Sequence, residues 1–167
     1  MLDKNEENAK QLERQAAADY EYSTLLRLLN VGVSKHLLDG HFTLVWANSF
    51  FYDLIGYPQT EFKARFHNRP DEYFYNNPEG LRLLSESVAD AMAKGEKGNS
   101  AYLPLIHPDG KPYWVKLQAA FTDEYIDGCQ VAYTTLTDVT EMMQARQEFE
   151  KLTQEQDMLM SALNVSV

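Results

Sequence analysis

The stretch from Ala101 to Phe121 constrains this chain more than any other. It reads as two strands, Ala101-Tyr-Leu-Pro-Leu-Ile-His and Lys111-Pro-Tyr-Trp-Val-Lys-Leu-Gln-Ala-Ala-Phe121, joined by a tight turn. Asp109-Gly110 supplies the turn, because Gly takes positive φ without a steric penalty and Asp bonds its own neighbouring backbone. In the second strand Tyr113, Val115, Leu117, Ala119 and Phe121 share one face, and Trp114, Lys116, Gln118 and Ala120 the other. A period of two sends one face to a core and the other to solvent or a partner. Pro104 and Pro112 lack ladder donors, which places them at an outward-facing edge or at strand ends.

Around this hairpin the elements follow in a readable order. Residues from Asn5 to about Leu29 form a helix without Gly or Pro, polar and Ala-rich at first, then carrying Tyr22, Leu25, Leu26 and Leu29 at helical spacing. So little apolar surface at its start means that it projects or pairs with another helix. Val33 to Leu38 and Phe42 to Trp46 read as strands about an Asp39-Gly40 turn. Asn48 caps a short helix, Ser49 to Ile55, that Gly56 ends. Glu61 to Asn77, rich in aromatics and broken by Pro70, reads as short helical turns. Pro78 opens a helix to about Lys94, with Leu81, Leu84, Val88 and Met92 as its inward stripe. After the hairpin, Asp127-Gly128 turns the chain into a last strand, Gln130 to Thr137. The order β-β-α-α-α-β-β-β predicts an α+β domain: a five-stranded antiparallel sheet with short helices on one face, flanked by N- and C-terminal helices.

Several separated pieces of this pattern resemble the PAS family, over roughly Leu28 to Thr140. Asp39-Gly40 followed by Val45-Trp-Ala-Asn48 is similar to the family's opening hairpin and its Asn; Leu54-Ile-Gly-Tyr57 to its helix end; Asp109-Gly110 with Trp114 to its "DG…W" hairpin; and Thr137-Asp-Val-Thr140 to its exit into a signalling helix. The resemblance implies a sensory domain at residues 30–138, between a linker helix at 1–29 and a coiled-coil linker helix at 139–164. It also implies a bacterial multidomain signalling protein whose output domain is a histidine kinase or a cyclic-dinucleotide enzyme.

From Val139 to Asn164 Gly and Pro are again missing. With Met142 at heptad position a, the a and d sites are Met142, Ala145, Phe149, Leu152, Gln156, Leu159 and Leu163, apolar except for Gln156. That narrow stripe fits a two-stranded parallel coil, the alternative being a helix folded back on its own domain. Leu159 to Val167 also repeats Leu25 to Val33, with Leu, Leu, Asn, Val and Val coinciding. Unless the match is chance, a second PAS-like repeat starts at 165–167.

Composition narrows the function. A net charge of −10 and a pI near 4.8 work against nucleic acid or an anionic membrane surface as partner. No apolar run reaches the roughly 20 residues of a membrane span, and the polar first residues do not read as a secretory signal. A single cysteine, Cys129, leaves no internal disulfide. The expected location is the cytoplasm. No Gly-rich phosphate loop, paired metal-binding His spacing or nucleophile elbow is present, so the domain is read as non-catalytic, without catalytic residues or a metal. His36, His41, His67 and His107 are scattered and read as surface or packing residues.

The resemblance raises cofactors, and the residues disfavour the common ones. Flavin-binding relatives carry a reactive Cys after "GY", and Glu61 to Asn77 has none; haem-binding relatives place a His on the long helix, and Pro78 to Lys94 has none. An unidentified small organic ligand, or none, remains. Strand parity and the resemblance put Leu103, Leu105, Val115, Leu117, Thr134 and Leu136 on the inner face, opposite Phe66, Tyr73, Leu84 and Val88. With His36 and Asn48 these form the candidate pocket, His36 and Thr134 orienting a ligand and Arg69 at the rim; a fully packed core is the alternative. Trp114 should point outward, covered by Tyr22, Leu25 or Leu26 of the first helix or by a second subunit. The relay and homodimer set is thus Tyr22, Leu25, Leu26, Trp114, Asp138, Thr140, Met142, Phe149 and Leu152. The function expected is a sensory relay module, with a ligand-free dimerisation and spacer domain as the alternative.

Overall fold

The computed structural model describes residues 2–165. Its elements are α1 (Leu2–Leu28), β1 (Gly32–Leu37), β2 (Leu44–Ala47), α2 (Ser49–Ile55), α3 (Gln59–Phe66), α4 (Pro70–Tyr73) with a 3₁₀ turn (Phe74–Asn76), α5 (Pro78–Ala93), β3 (Gly98–Ile106), β4 (Pro112–Ile126), β5 (Cys129–Asp138) and α6 (Thr140–Val165). The strands form one antiparallel sheet in the order β2-β1-β5-β4-β3, so the chain's last strand sits at the centre beside its first. The α+β architecture is therefore the expected one. Of the expected start of a second repeat, Val165 is the last helical residue, and Ser166 and Val167 lie outside the described residues.

The 101–121 hairpin is present but longer: β3 begins at Gly98, and β4 runs on past an irregularity between Phe121 and Tyr125. A Cβ at position 98 would stand 2.1 Å from the Ala119 carbonyl oxygen, so only glycine lets the two strands close there. β3 is an edge strand, which is why Pro104 is tolerated within it, while Pro112 starts β4. On β4, Val115 and Leu117 are buried, and Tyr113, Ala119 and Phe121 pack partly buried against the same core.

The Asp39-Gly40 turn departs from expectation. Phe42 is not in a strand but adopts φ +55°, and β2 starts only at Leu44. Asp39 accounts for the change: its carboxylate accepts from the His41 and Thr43 amides, both at 3.1 Å, and from the Thr43 hydroxyl at 2.5 Å. Those local bonds stabilise a wider loop than a two-residue turn allows, and it folds Phe42 onto the core.

Asn48 caps α2 as expected and does more. Its Oδ1 accepts from the amides of Phe51 and Val33, each at 3.0 Å, and its Nδ2 donates to the Val31 carbonyl at 3.1 Å. One side chain thus ties the helix to both ends of the turn into β1. Gly56 ends α2 at φ +83°. α5 lies along β3 with Leu84, Val88 and Ala91 buried. Met92, expected on that stripe, is exposed, because Ala91 lies on the 84–88 row and Met92 is turned about 100° away from it.

The terminal helices behave differently. Tyr22 is 67% exposed and Leu25 is exposed too, so α1 does not cover the sheet of its own chain as one reading required; Leu26 is half-buried. α6 meets the domain at its start, against β4.

Candidate functional site

Between the inner face of the sheet and α2–α5 lies a cavity of about 80 Å³. Of the twelve residues expected to line it, ten do: His36, Tyr73, Leu84, Val88, Leu103, Leu105, Val115, Leu117, Thr134 and Leu136. Two do not. Asn48 is occupied at the α2 cap. Phe66 stands one layer back, edge-on to Tyr57 and Tyr73 with centroids at 5.1 and 5.5 Å. Unforeseen in the lining are Phe42, Phe51, Ile55, Phe62 and Phe74, with Asn99, Ala119 and Ala132 on the sheet. The short helices' burial pattern could have pointed to Phe51 and Ile55, which occupy one face of α2. Phe42 was beyond reach, since its position depends on the Asp39 loop.

The polar groups of this interior form a chain. The Phe42 carbonyl only accepts, so the His36 Nδ1 at 2.8 Å carries the ring's proton. His36 Nε2 is then an acceptor for the Ser34 hydroxyl at 2.8 Å, and Ser34 in turn accepts from Thr134 at 2.5 Å. Burial pushes the His36 pKa down to about 4, so the ring is neutral near pH 7. His36 and Thr134, expected to orient a ligand, are therefore joined through Ser34, which is fully buried behind the lining. Arg69 is likewise engaged within the chain, with Asp71 at 3.3 Å and Glu72 at 3.2 Å.

Where the sheet meets the outgoing helix, the bonds converge on Trp114. Its carbonyl accepts from the Val139 amide at 2.9 Å, and its amide donates to Thr140 Oγ1 at 3.1 Å. The Thr140 hydroxyl and amide both donate to the Asp138 carboxylate, at 2.6 and 2.9 Å. Trp114 is half-buried, and the exposed tryptophan of the outer face is Trp46, opposite Lys35. Tyr102 and Tyr133 are exposed on the same face, beneath Lys116 and Lys35.

No family model matches this sequence, and no curated protein matches it. Solved structures do. A sensory box histidine kinase/response regulator from Burkholderia thailandensis superposes with a TM-score of 0.62 at 10% identity, over 81% of this chain and 97% of that one. The PAS domain of a Colwellia psychrerythraea protein gives 0.54 at 14% identity, over 78% and 98%. An RNA-binding Light-Oxygen-Voltage receptor gives 0.59 at 20% identity, over 75% of this chain and 34% of its own, so this chain spans about a third of that receptor.

This chain has the PAS fold.

A Light-Oxygen-Voltage domain of the same fold is described with a flavin analogue, and the interior of this chain does not fit such a group. The cavity is about half the roughly 150 Å³ that accommodates benzene, and Cys129 is not among its lining residues. Haem fits no better, since both nitrogens of the only lining histidine already have partners. Among the described residues no group of three or more His, Cys, Asp or Glu is arranged to hold a metal, and no helix is long and apolar enough to cross a membrane.

Proposed function

We propose that this PAS domain is a sensory relay: a small organic ligand in the cavity biases the sheet, and the Asp138–Thr140 junction passes that bias to α6. One observation carries the reading. Val115, wholly buried and lining the cavity, is the next residue to Trp114, whose two backbone groups hold the start of α6. A shift of β4 that accommodates a ligand at Val115 therefore moves the anchor of the rod by the same step, which is the two-state element a relay needs.

Residues 30–138 are on this reading the sensor, 1–29 and 139–164 its helical linkers, in a cytoplasmic protein with further PAS-like and output domains. Met142, Phe149 and Leu152 would pair two copies through α6, and Tyr22, Leu25 and Leu26 would meet the open sheet face of the second copy. One structural relative is an RNA-binding receptor; the net charge of −10 makes protein the better partner here.

The small cavity keeps the spacer reading in play, and two measurements separate them. In a thermal-shift screen of metabolites, a true ligand at a hundred times its Kd stabilises by about 2.7 kcal/mol; silence across the library establishes the spacer. In the native full-length protein, Thr140→Val should leave that stabilisation intact and abolish its effect on output. An unchanged output response sinks the relay.

A further inference from the structure

Resting on the ligand-sensing reading, we infer that the cavity selects an uncharged, mostly apolar molecule carrying one N–H or O–H donor, and that Asn99 receives the donor. Three observations point there. First, register places Ser34, Thr134, Ala119 and Asn99 in one row across β1, β5, β4 and β3. Thr134 and Asn99 both line the cavity, two strand spacings or roughly 10 Å apart, and between them Ala119 contributes only a methyl group. The row thus holds a gap with a polar side chain at each end.

Second, the orientation of the Asn99 amide is set by its neighbour. The Ser87 hydroxyl donates to the Ser100 carbonyl at 3.2 Å, so its oxygen is left to accept, and Asn99 Nδ2 donates to it at 3.0 Å. The nitrogen therefore faces α5 and the oxygen faces away from it. That oxygen is buried and has no hydrogen-bond partner. A buried amide oxygen without a donor has lost its water and gained nothing in return, a cost that a ligand donor removes.

Third, nothing in the lining balances a charge. His36 is neutral, and its proton is committed to the Phe42 carbonyl. The other lining residues carry no ionic group. A carboxylate or ammonium would enter without a counterion, at a cost its contacts cannot offset. The second unpartnered group, the Tyr73 hydroxyl, stays protonated because burial raises its pKa, so it adds no charge either.

The test titrates the 167-residue chain with two small probes matched in shape, pyrrole against furan, following amide and Asn99 side-chain signals by NMR. Pyrrole is expected to bind about three- to tenfold more tightly than furan, the range of one net hydrogen bond. In Asn99→Leu the ratio should fall to one while furan keeps its affinity. Ser87→Ala, which frees the amide to turn and spares the cavity lining, should also lower the ratio and guards against a misfolded first variant. Binding of both probes without a donor preference, as when a water already satisfies Asn99, overturns the inference and leaves the cavity reading standing. So does a preference that survives Asn99→Leu, or acetate binding at the same site as tightly as pyrrole. No saturable binding by any probe takes down both.

Discussion

α5 and α6 carry the same kind of apolar stripe and meet opposite fates. In α5, Leu84, Val88 and Ala91 are buried against β3 and the cavity. In α6, Phe149 stays 71% exposed, and Met142, Leu152, Leu159 and Leu163 are exposed with it. The difference lies in what surrounds each helix. α5 leaves its cap at Asn77, whose Nδ2 donates to the Pro104 carbonyl at 2.7 Å, and this sets the helix down on the sheet. α6 leaves from Thr140, bonded to Asp138 and to the start of β4, and beyond Met142 its stripe from Phe149 to Leu163 lies exposed. An apolar stripe stabilises a helix only where a surface receives it, so the energy in α5 belongs to the fold, and that of α6 is left for the pairing we propose.

That contrast can be broken by experiment. Leu84→Ala should lower the domain's stability by about 2–5 kcal/mol, since it empties a packed site next to a cavity; urea denaturation that moves by less than about 1 kcal/mol would mean that α5 is as loosely held as α6. Acid should reach the inner layer through His36. His36 has its pKa pushed down from 6.5 to about 4 in the fold, so the unfolded chain binds the proton first. Its contribution is fully present above about pH 6.5, declines as the pH falls towards 4, and levels off below, a loss on the order of 3 kcal/mol. His36→Phe should flatten that limb of the stability curve, and an unchanged limb would assign the acid sensitivity to other groups. The smallest effect on stability is expected from Leu152→Ala in α6: within about 0.5 kcal/mol for the domain, yet with a clear loss of self-association by analytical ultracentrifugation. A monomer before and after the change would remove the coiled coil from the proposal.

The alternation of β4, the cap at Asn48, the Pro78 start of α5 and the Gly56 stop were all readable, because each is a local rule that its own neighbours satisfy. Of the expected residues that line the cavity, those on the strands follow from that same parity together with the family resemblance, and Leu84 and Val88 from the stripe of α5. One misreading arose where side-chain bonds to sequence neighbours reshape the backbone. Asp39 turned a two-residue turn into a wide loop, and with it carried Phe42 into the core. Trp114 is held through its backbone by a helix that begins far along the chain, a contact that no spacing announces.

The sequence by itself determined the element order, the two faces of the sheet and the chemistry of the interior, since these depend on spacing and side-chain type. Only the tertiary structure decided that Ser34 links His36 to Thr134, that Asn99 keeps a buried oxygen without a partner, and that Val115 and the start of α6 meet across one peptide bond. The physical reason is register. Residues a hundred positions apart, such as Ser34 and Thr134, become neighbours through strand pairing, and no local periodicity carries that information.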